Sequence, residues 1–344
     1  MEFRTHSRRS VVIGTASALA VTALPQVIAA QSSTPAEGAT LAAADGQFPV
    51  TIEHIYGEST IEKQPVRVVT WGWESQDAVI ALGIIPVAMP SNEWGGDSEM
   101  ILPWTRTALG DNPLPIVLDT VEVPFEAIAA AKPDLILATY SGISKDEYNT
   151  LSKIAPTVAY PETAWGTASQ DVQTITGAAL GKVTAAEKLI ADTEALIASQ
   201  TDLFPQLAGK TFVYGNMGAE NSFDIYTVTD ARSQFLTEIG LEPSAYVKAL
   251  KSTDAATTYF VPESYELANE IEGDIVVFWF DSQESLDQAM ALPALQAIPA
   301  GKRGSFAPIV GKAYVMASSA FSVLSIPHML DEFIPTLAAA ADKV

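Results

Sequence analysis

Cysteine is absent from the 344 residues. That excludes disulfides, thiolate metal sites, cysteine nucleophiles and a lipid anchor on an N-terminal cysteine. Histidine is nearly absent, being confined to His6, His54 and His328. A directly bound zinc or manganese ion needs several convergent ligands, which two distant mature histidines do not supply. No metal ligand is assigned. Basic residues are scarce: 19 Lys and Arg stand against 41 Asp and Glu, for a net charge of −22. A surface this acidic repels nucleic acid and anionic lipid and disfavours capture of polyanions. No long apolar run follows residue 30, so the mature chain is expected to be soluble. Enzyme signatures are lacking as well. There is no G-x-S-x-G elbow and no G-x-G-x-x-G after the first strand. Gly177 to Thr184 imitates a phosphate loop but is one residue short, with Val183 where a hydroxyl must follow Lys182. It reads as a helix stopped by Gly181.

What is present begins with residues 1–30. Arg8-Arg9 precede a mildly apolar run, Val11 to Leu24, which ends near Ala29-Ala30. Basic, apolar and small, in that order, is an export signal. The paired arginines resemble the twin-arginine signal, with Val11-Val12-Ile13 in place of its preferred Phe-Leu-Lys. Removal of Glu2, Arg4, Arg8 and Arg9 takes the net charge from −22 to −24. Four arginines then remain: Arg67, Arg106, Arg232 and Arg303.

Residues 31–46 are small and polar and read as a flexible tether. Pro65–Thr70 reads as a buried strand, 75–82 as a helix stopped by Gly83, and 84–87 as the next strand, which makes a βαβ unit. Further helices are expected from Pro124 and over 146–154, with strands at 135–138 and 157–160. Thr184 and Glu187 have capping-box spacing at the start of a long helix. A second series follows: a strand from Lys210, a helix over 231–239, a helical turn over 265–271, strands at 274–280 and 312–316, and a helix from about Pro327. The expected fold is α/β, with two Rossmann-like lobes on parallel sheets joined by one long helix. The expected divisions are 1–30 signal, 31–46 tether, 47–183 first lobe, 184–204 hinge helix and 205–344 second lobe.

In order and spacing these segments are similar to the ferric-siderophore substrate-binding proteins of ABC importers. The resemblance is carried by His54-x2-Gly57, Thr60-Ile61, Pro65-x-Arg67-Val68-Val69, ALGIIPV (81–87), PFEAIAAAKPDLILA (124–138), LSKIAPTVAY (151–160), FLTEIGL (235–241) and SYELANEIEGDIVVF (264–278). It implies a ligand cleft between two lobes, a stiff hinge and docking onto a membrane permease. It also implies that Glu126 and Glu266, each in the first turn of a helix, meet arginine pockets on the permease. Arg232 lies near where such proteins often place a ligand arginine. Asp119 stands where hydroxamate binders often carry an arginine.

The ligand cleft of a parallel α/β sheet lies beyond the carboxyl ends of its strands. Those ends are aromatic here: Trp71 and Trp73, Trp94, Trp104 with Arg106, Tyr140, Trp165, and from the second series Tyr214 and Trp279. Tryptophan offers a wide apolar face and one donor, which suits a bulky, partly polar organic guest. Trp73, Trp94 and Tyr140 are read as cleft-lining rather than packed on the lobe surface, with Trp71 able to turn inward. Arg106 and Arg232 are candidates for bidentate contact with ligand oxygens, or for surface salt bridges. His54 is read as structural. The expectation is a non-enzymatic, monomeric binding protein that holds a ferric siderophore without a covalent cofactor. Iron stays with the chelator. A haem or corrinoid cargo, and an exported α/β hydrolase, are the alternatives.

Overall fold

The computed structural model describes residues 44–250 and 259–344. The export-signal reading of 1–30 lies outside them, as does the 31–46 tether apart from its last three residues. The described chain opens with an antiparallel hairpin of β1 (Val50–His54) and β2 (Gly57–Ile61). The first sheet contains β3 (Val68–Thr70), β4 (Ala88–Pro90), β5 (Ile116–Leu118), β6 (Leu135–Ala138) and β7 (Thr157–Ala159). It is wholly parallel, in the order β5-β4-β3-β6-β7. Its connecting helices are α1 (Ser75–Ala81), α2 (Pro103–Leu109), α3 (Phe125–Ala130), α4 (Lys145–Leu151) and α5 (Ser169–Leu180).

Strand alternation decides what each face covers. Val68, Leu135, Leu137 and Val158 pack with Val79 of α1 and Ile175 of α5. Val69, Ile136, Ala138 and Ala159 point the other way, onto Ile128 of α3 and Leu151 of α4. Two sequence expectations move here. The second strand lies at 88–90 rather than 84–87. The segment holding Trp104 and Arg106 is a helix, α2, with Pro103 at its first turn, where proline's fixed φ and missing N–H cost nothing.

A 19-residue helix, α6 (Val183–Thr201), leaves the first sheet. At 1.5 Å per residue it is about 28 Å long. It buries Ala186 in the core of the first sheet and Ile197 in that of the second. The helix ends at Thr201, short of the expected 204. The expected capping box does not form: Lys182 is the cap residue, and the Thr184 N–H donates to the Asp45 carboxylate at 3.0 Å. A residue from the supposed tether thus satisfies an orphan amide at the helix start. The Gly46 N–H donates to the Gly181 carbonyl at 3.0 Å, so the last residues of the expected tether are part of the fold.

The second sheet contains β8 (Thr211–Met217), β9 (Ser222–Tyr226), β10 (Glu242–Pro243), β11 (Phe260–Ser264), β12 (Ile275–Phe280) and β13 (Phe306–Val310). Its order is β11-β9-β8-β12-β13, with β10 also beside β8. It is mixed, where a parallel sheet was expected: β9 runs antiparallel to both β8 and β11. Residues 218–221 join β8 to β9, too few for a parallel crossover, and Glu220 and Asn221 turn through left-handed φ values of 51° and 63°. Its helices are α7 (Ala231–Glu238), α8 (Ala245–Ala249), α9 (Gln283–Met290), α10 (Pro293–Ala297), α11 (Pro299–Arg303), α12 (Lys312–Ala317) and α13 (Ser325–Ala341). Phe212, Tyr214, Ile275 and Val277 face Phe235 of α7 and Phe333 of α13. Val213, Val276 and Phe278 face Leu295 of α10 and Ala289 of α9. The expected strand at 312–316 is helix α12. A short apolar run does not distinguish the two periods, and β13 already occupies the place beside β12.

Candidate ligand-binding cleft

Loops at the carboxyl ends of β3, β6 and β7 meet in a ring cluster. The Trp73 N–H donates to the Tyr140 carbonyl (2.9 Å) and the Trp165 N–H to the Ser141 carbonyl (3.0 Å), which locks the three loops together. Two glycines permit this approach. A Cβ on Gly72, at φ 92°, would collide with the Tyr140 carbonyl oxygen, and one on Gly142 with the Trp165 indole nitrogen. Ring centroids of Trp73 and Trp165 lie 5.6 Å apart, and Tyr140 meets Trp165 edge-on at 5.9 Å. Trp73 and Trp165 are 43% and 49% exposed, whereas Tyr140 is buried. Their indole nitrogens donate to no described residue, and both rings keep part of their surface exposed.

The second sheet contributes a hydrogen-bonded chain. Trp279 on β12 donates from Nε1 to the Tyr226 hydroxyl (2.8 Å), which donates to Oδ1 of Asn216 (2.7 Å). The Arg232 guanidinium lies 3.7 Å from the Tyr226 ring centroid and is bidentate to Asp230, with both contacts at 2.8 Å. Burial opposes the charge of Arg232, but the Asp230 carboxylate outweighs it and holds the guanidinium firmly protonated. Burial pushes the Tyr226 phenol up to about 12.

Three observations bring these two groups towards each other, and the crevice between them is the candidate cleft. Trp94, in the loop after β4, packs edge-on against Trp279 at 5.8 Å. A Cβ on the neighbouring Gly95 would come within 3.1 Å of the Ala313 backbone at the start of α12. Tyr140 feels the charges of Glu74 on its own side and of Arg232 and Asp230 on the other; burial and Glu74 raise its phenol well above the usual range.

The remaining candidates are not brought into the crevice. Trp71 turns inward and packs with Leu118 and Ile128. Tyr214 is fully buried behind Tyr226, at 5.5 Å, because β8 is the central strand of its sheet. Trp104 is core: its Nε1 donates to Asp77 at 2.7 Å and its ring lies 5.3 Å from His328 of α13. Arg106 forms ion pairs with Asp97 and Glu99 on the surface of α2. Glu126 and Glu266 are exposed in the first turns of α3 and of the 3-10 segment Tyr265–Glu270, and neither carboxylate has a partner among the described residues.

Sequence reasoning passed over Asp77 and Glu74. Asp77 is buried and accepts from Trp104 Nε1, Thr105 Oγ1 and Ser322 Oγ, each at 2.7 Å. It therefore ties α1 and α2 to the segment between α12 and α13. Burial raises its carboxyl and the three donors pull it back. The available signal was an acid inside SQDAVI, a stretch otherwise too apolar to face water.

His54 takes the structural place expected of it. Its Nδ1 accepts the Tyr56 N–H (3.2 Å), so Nε2 carries the proton and donates to Ser59 Oγ (3.0 Å), which donates to the Thr157 carbonyl (2.6 Å). A histidine donating to serine is the reverse of a base activating a nucleophile. A concavity of about 310 Å³ opens at the opposite ends of β8 and β12. Its polar groups bond one another, with Asp274 taking the Thr211 N–H and hydroxyl and Arg303 the Gly273 carbonyl.

Residues 68–309 match the periplasmic binding protein family. The chain belongs to that family. Among solved structures it is similar to PiaA of Streptococcus pneumoniae TIGR4 in complex with ferrichrome. That likeness has a TM-score of 0.76 and 33% identity over 86% of this chain and 99% of the other. It is 26% identical to the ferric-anguibactin-binding protein FatB of Vibrio anguillarum, over 84% of this chain and 87% of that one. It is 28% identical to the Fe(3+) dicitrate-binding periplasmic protein FecB of Escherichia coli, over 58% of this chain and 63% of FecB's length. The family binds substrates rather than transforming them. None of the described helices is long and apolar enough to cross a membrane.

Proposed function

We propose that this binding protein captures a ferric-siderophore complex outside the cytoplasm and delivers it to an ABC permease, without covalent chemistry. The observation that supports this reading is that the ring cluster of Trp73, Tyr140 and Trp165 and the Trp279–Tyr226–Arg232 group approach each other, with Trp94 packed on Trp279. Rings supply apolar area for the organic shell of the chelate, and the unused indole donors and the guanidinium address its oxygens. Iron remains caged by the chelator and no protein side chain ligates it. PiaA, caught with ferrichrome, and FatB support the cargo class by likeness. Residues 1–30, with their adjacent arginines, direct export, and the protein works as a monomer. Glu126 and Glu266 dock it to the two permease subunits.

Tryptophan-fluorescence titration tests the cargo. Ferric hydroxamates or other ferric chelates quench saturably, with one site per chain, while iron-free chelators bind more weakly. Saturable quenching by haem or a corrinoid, with none by any ferric chelate, overturns the assignment.

A further inference from the structure

Glu74 directly follows Trp73 and is only 5% exposed. Its backbone is left-handed, at φ 61°, which is uncommon for a residue with a side chain. It stands at the cap position of α1, yet its carboxyl makes no capping bond and has no hydrogen-bond or ion-pair partner among the described residues. Burial, with Asp77 beside it, raises its carboxyl well above the usual range, and a donor arriving from outside would offset the cost of ionising it there. Its neighbour Asp77, by contrast, has its oxygens taken by three donors.

The charges around Glu74 are few. On its own side are Asp77 on α1 and the Tyr140 hydroxyl after β6. Beyond Tyr140 lies the Arg232–Asp230 pair of α7, which is already neutralised internally. The other described arginines are spent elsewhere: Arg67 on the Ala131 and Lys132 carbonyls, Arg106 on Asp97 and Glu99, Arg303 on Gly273 and Asp274. Of the described arginines only Arg232 lies beside these rings, and Asp230 neutralises it, whereas Glu74 has no ion-pair partner among the described residues; Asp224 beside Asn216 and Lys312 at the start of α12 are the further charges of the opposite side.

We propose that Glu74 selects cargo by charge, receiving a protonated amine carried on the ferric chelate, so that the preferred ligand is a cationic ferric complex. This rests on the ferric-siderophore reading above and narrows it. A trianionic tris-catecholate meets an uncompensated acid and an arginine already paired with Asp230. A neutral complex fills the rings but leaves Glu74 unpaired. A pendant ammonium satisfies it with a charge-assisted bond.

Three probes test this: ferrioxamine B (a ferric tris-hydroxamate with a pendant ammonium), its N-acetylated, neutral derivative, and a trianionic ferric tris-catecholate. The wild-type protein binds the cationic probe at least about tenfold more tightly than the acetylated one, and the catecholate weakest. Glu74→Gln loses the preference for the ammonium and keeps its affinity for the acetylated probe. Glu74→Gln folds, because it replaces a costly buried acid with a neutral isostere, and a thermal melt checks this. Cationic-probe affinity rises with pH as Glu74 ionises, while acetylated-probe affinity and the Glu74→Gln variant stay flat. Equal wild-type affinity for the two hydroxamates overturns the role of Glu74 alone and needs no variant. So does a preference that survives in Glu74→Gln. Binding of none of the three probes overturns this inference, and the function it rests on falls separately, when no ferric chelate of any class binds.

Discussion

At the scale of single residues, a tryptophan's role is decided by where its indole nitrogen finds an acceptor. The Trp104 nitrogen is taken by buried Asp77 and the Trp279 nitrogen by Tyr226, whereas those of Trp73 and Trp165, on half-exposed rings, donate to no described residue. The two kinds should separate on truncation. Trp73→Ala weakens binding of the ferric chelate by about 1–3 kcal/mol, the worth of a ring's buried area, and leaves the melting temperature near wild type. Trp104→Ala removes a core ring and one of the three donors to Asp77, costing about 3–5 kcal/mol of stability in a urea titration. Similar effects on affinity from both would remove the distinction drawn here. The sequence showed that aromatics crowd the strand ends, because strand, glycine and tryptophan follow one another directly. It did not show which rings turn inward. Trp71 and Trp73 differ only by the bend that Gly72 makes against Tyr140, and Trp104 sits on a helix whose only sequence mark is Pro103.

At the scale of elements, the β1–β2 hairpin is bound to the first sheet through His54, Ser59 and the Thr157 carbonyl of β7. Burial, helped by the charge of Lys145, lowers the His54 imidazole from 6.5 to about 4. The folded chain therefore binds fewer protons than the unfolded chain between those two values, and stability rises with pH across that window. The contribution is complete above about pH 6.5 and is lost as the pH falls to about 4. Its size is at most about 3 kcal/mol, and less for a group that keeps some water contact. Urea unfolding of wild type and His54→Gln from pH 4 to 7.5 should show a difference that grows with pH. A difference that stays constant would mean that the histidine never titrates in this window. The hairpin role was readable because His54 lies among alternating buried residues near Gly57. The misplaced elements were the short ones. Residues 84–90 offer seven apolar positions for a three-residue strand, and 312–316 carry too few residues to show a period. The antiparallel β9 was missed because its turn, 218–221, holds no proline and only one glycine.

At the scale of the molecule, α6 buries one end in each core and exposes most of its length. Asp77 adds a second tie through Ser322, so the two sheets are joined by a rod and a buried hydrogen-bonded clasp. A body built this way is expected to move little on binding, so that a partner would read it from the spacing of points on both halves rather than from a large closure. Under the docking role proposed above, Glu126 and Glu266 would be two such points. Each is exposed near the start of a short helical segment, one on each half, and each lacks an internal partner that would explain it. Two separated contacts on one rigid body act with high effective concentration: the first weakens docking only modestly if removed, while loss of both removes the avidity between them. Glu126→Ala or Glu266→Ala alone should therefore lower uptake of the ferric complex by about tenfold or less, and the double variant should abolish it. Ligand affinity by fluorescence should be that of wild type in all three, because neither carboxylate touches the rings of the crevice. Full uptake by the double variant would end the docking role, and weakened ligand binding in it would mean that these acids act on the cleft instead.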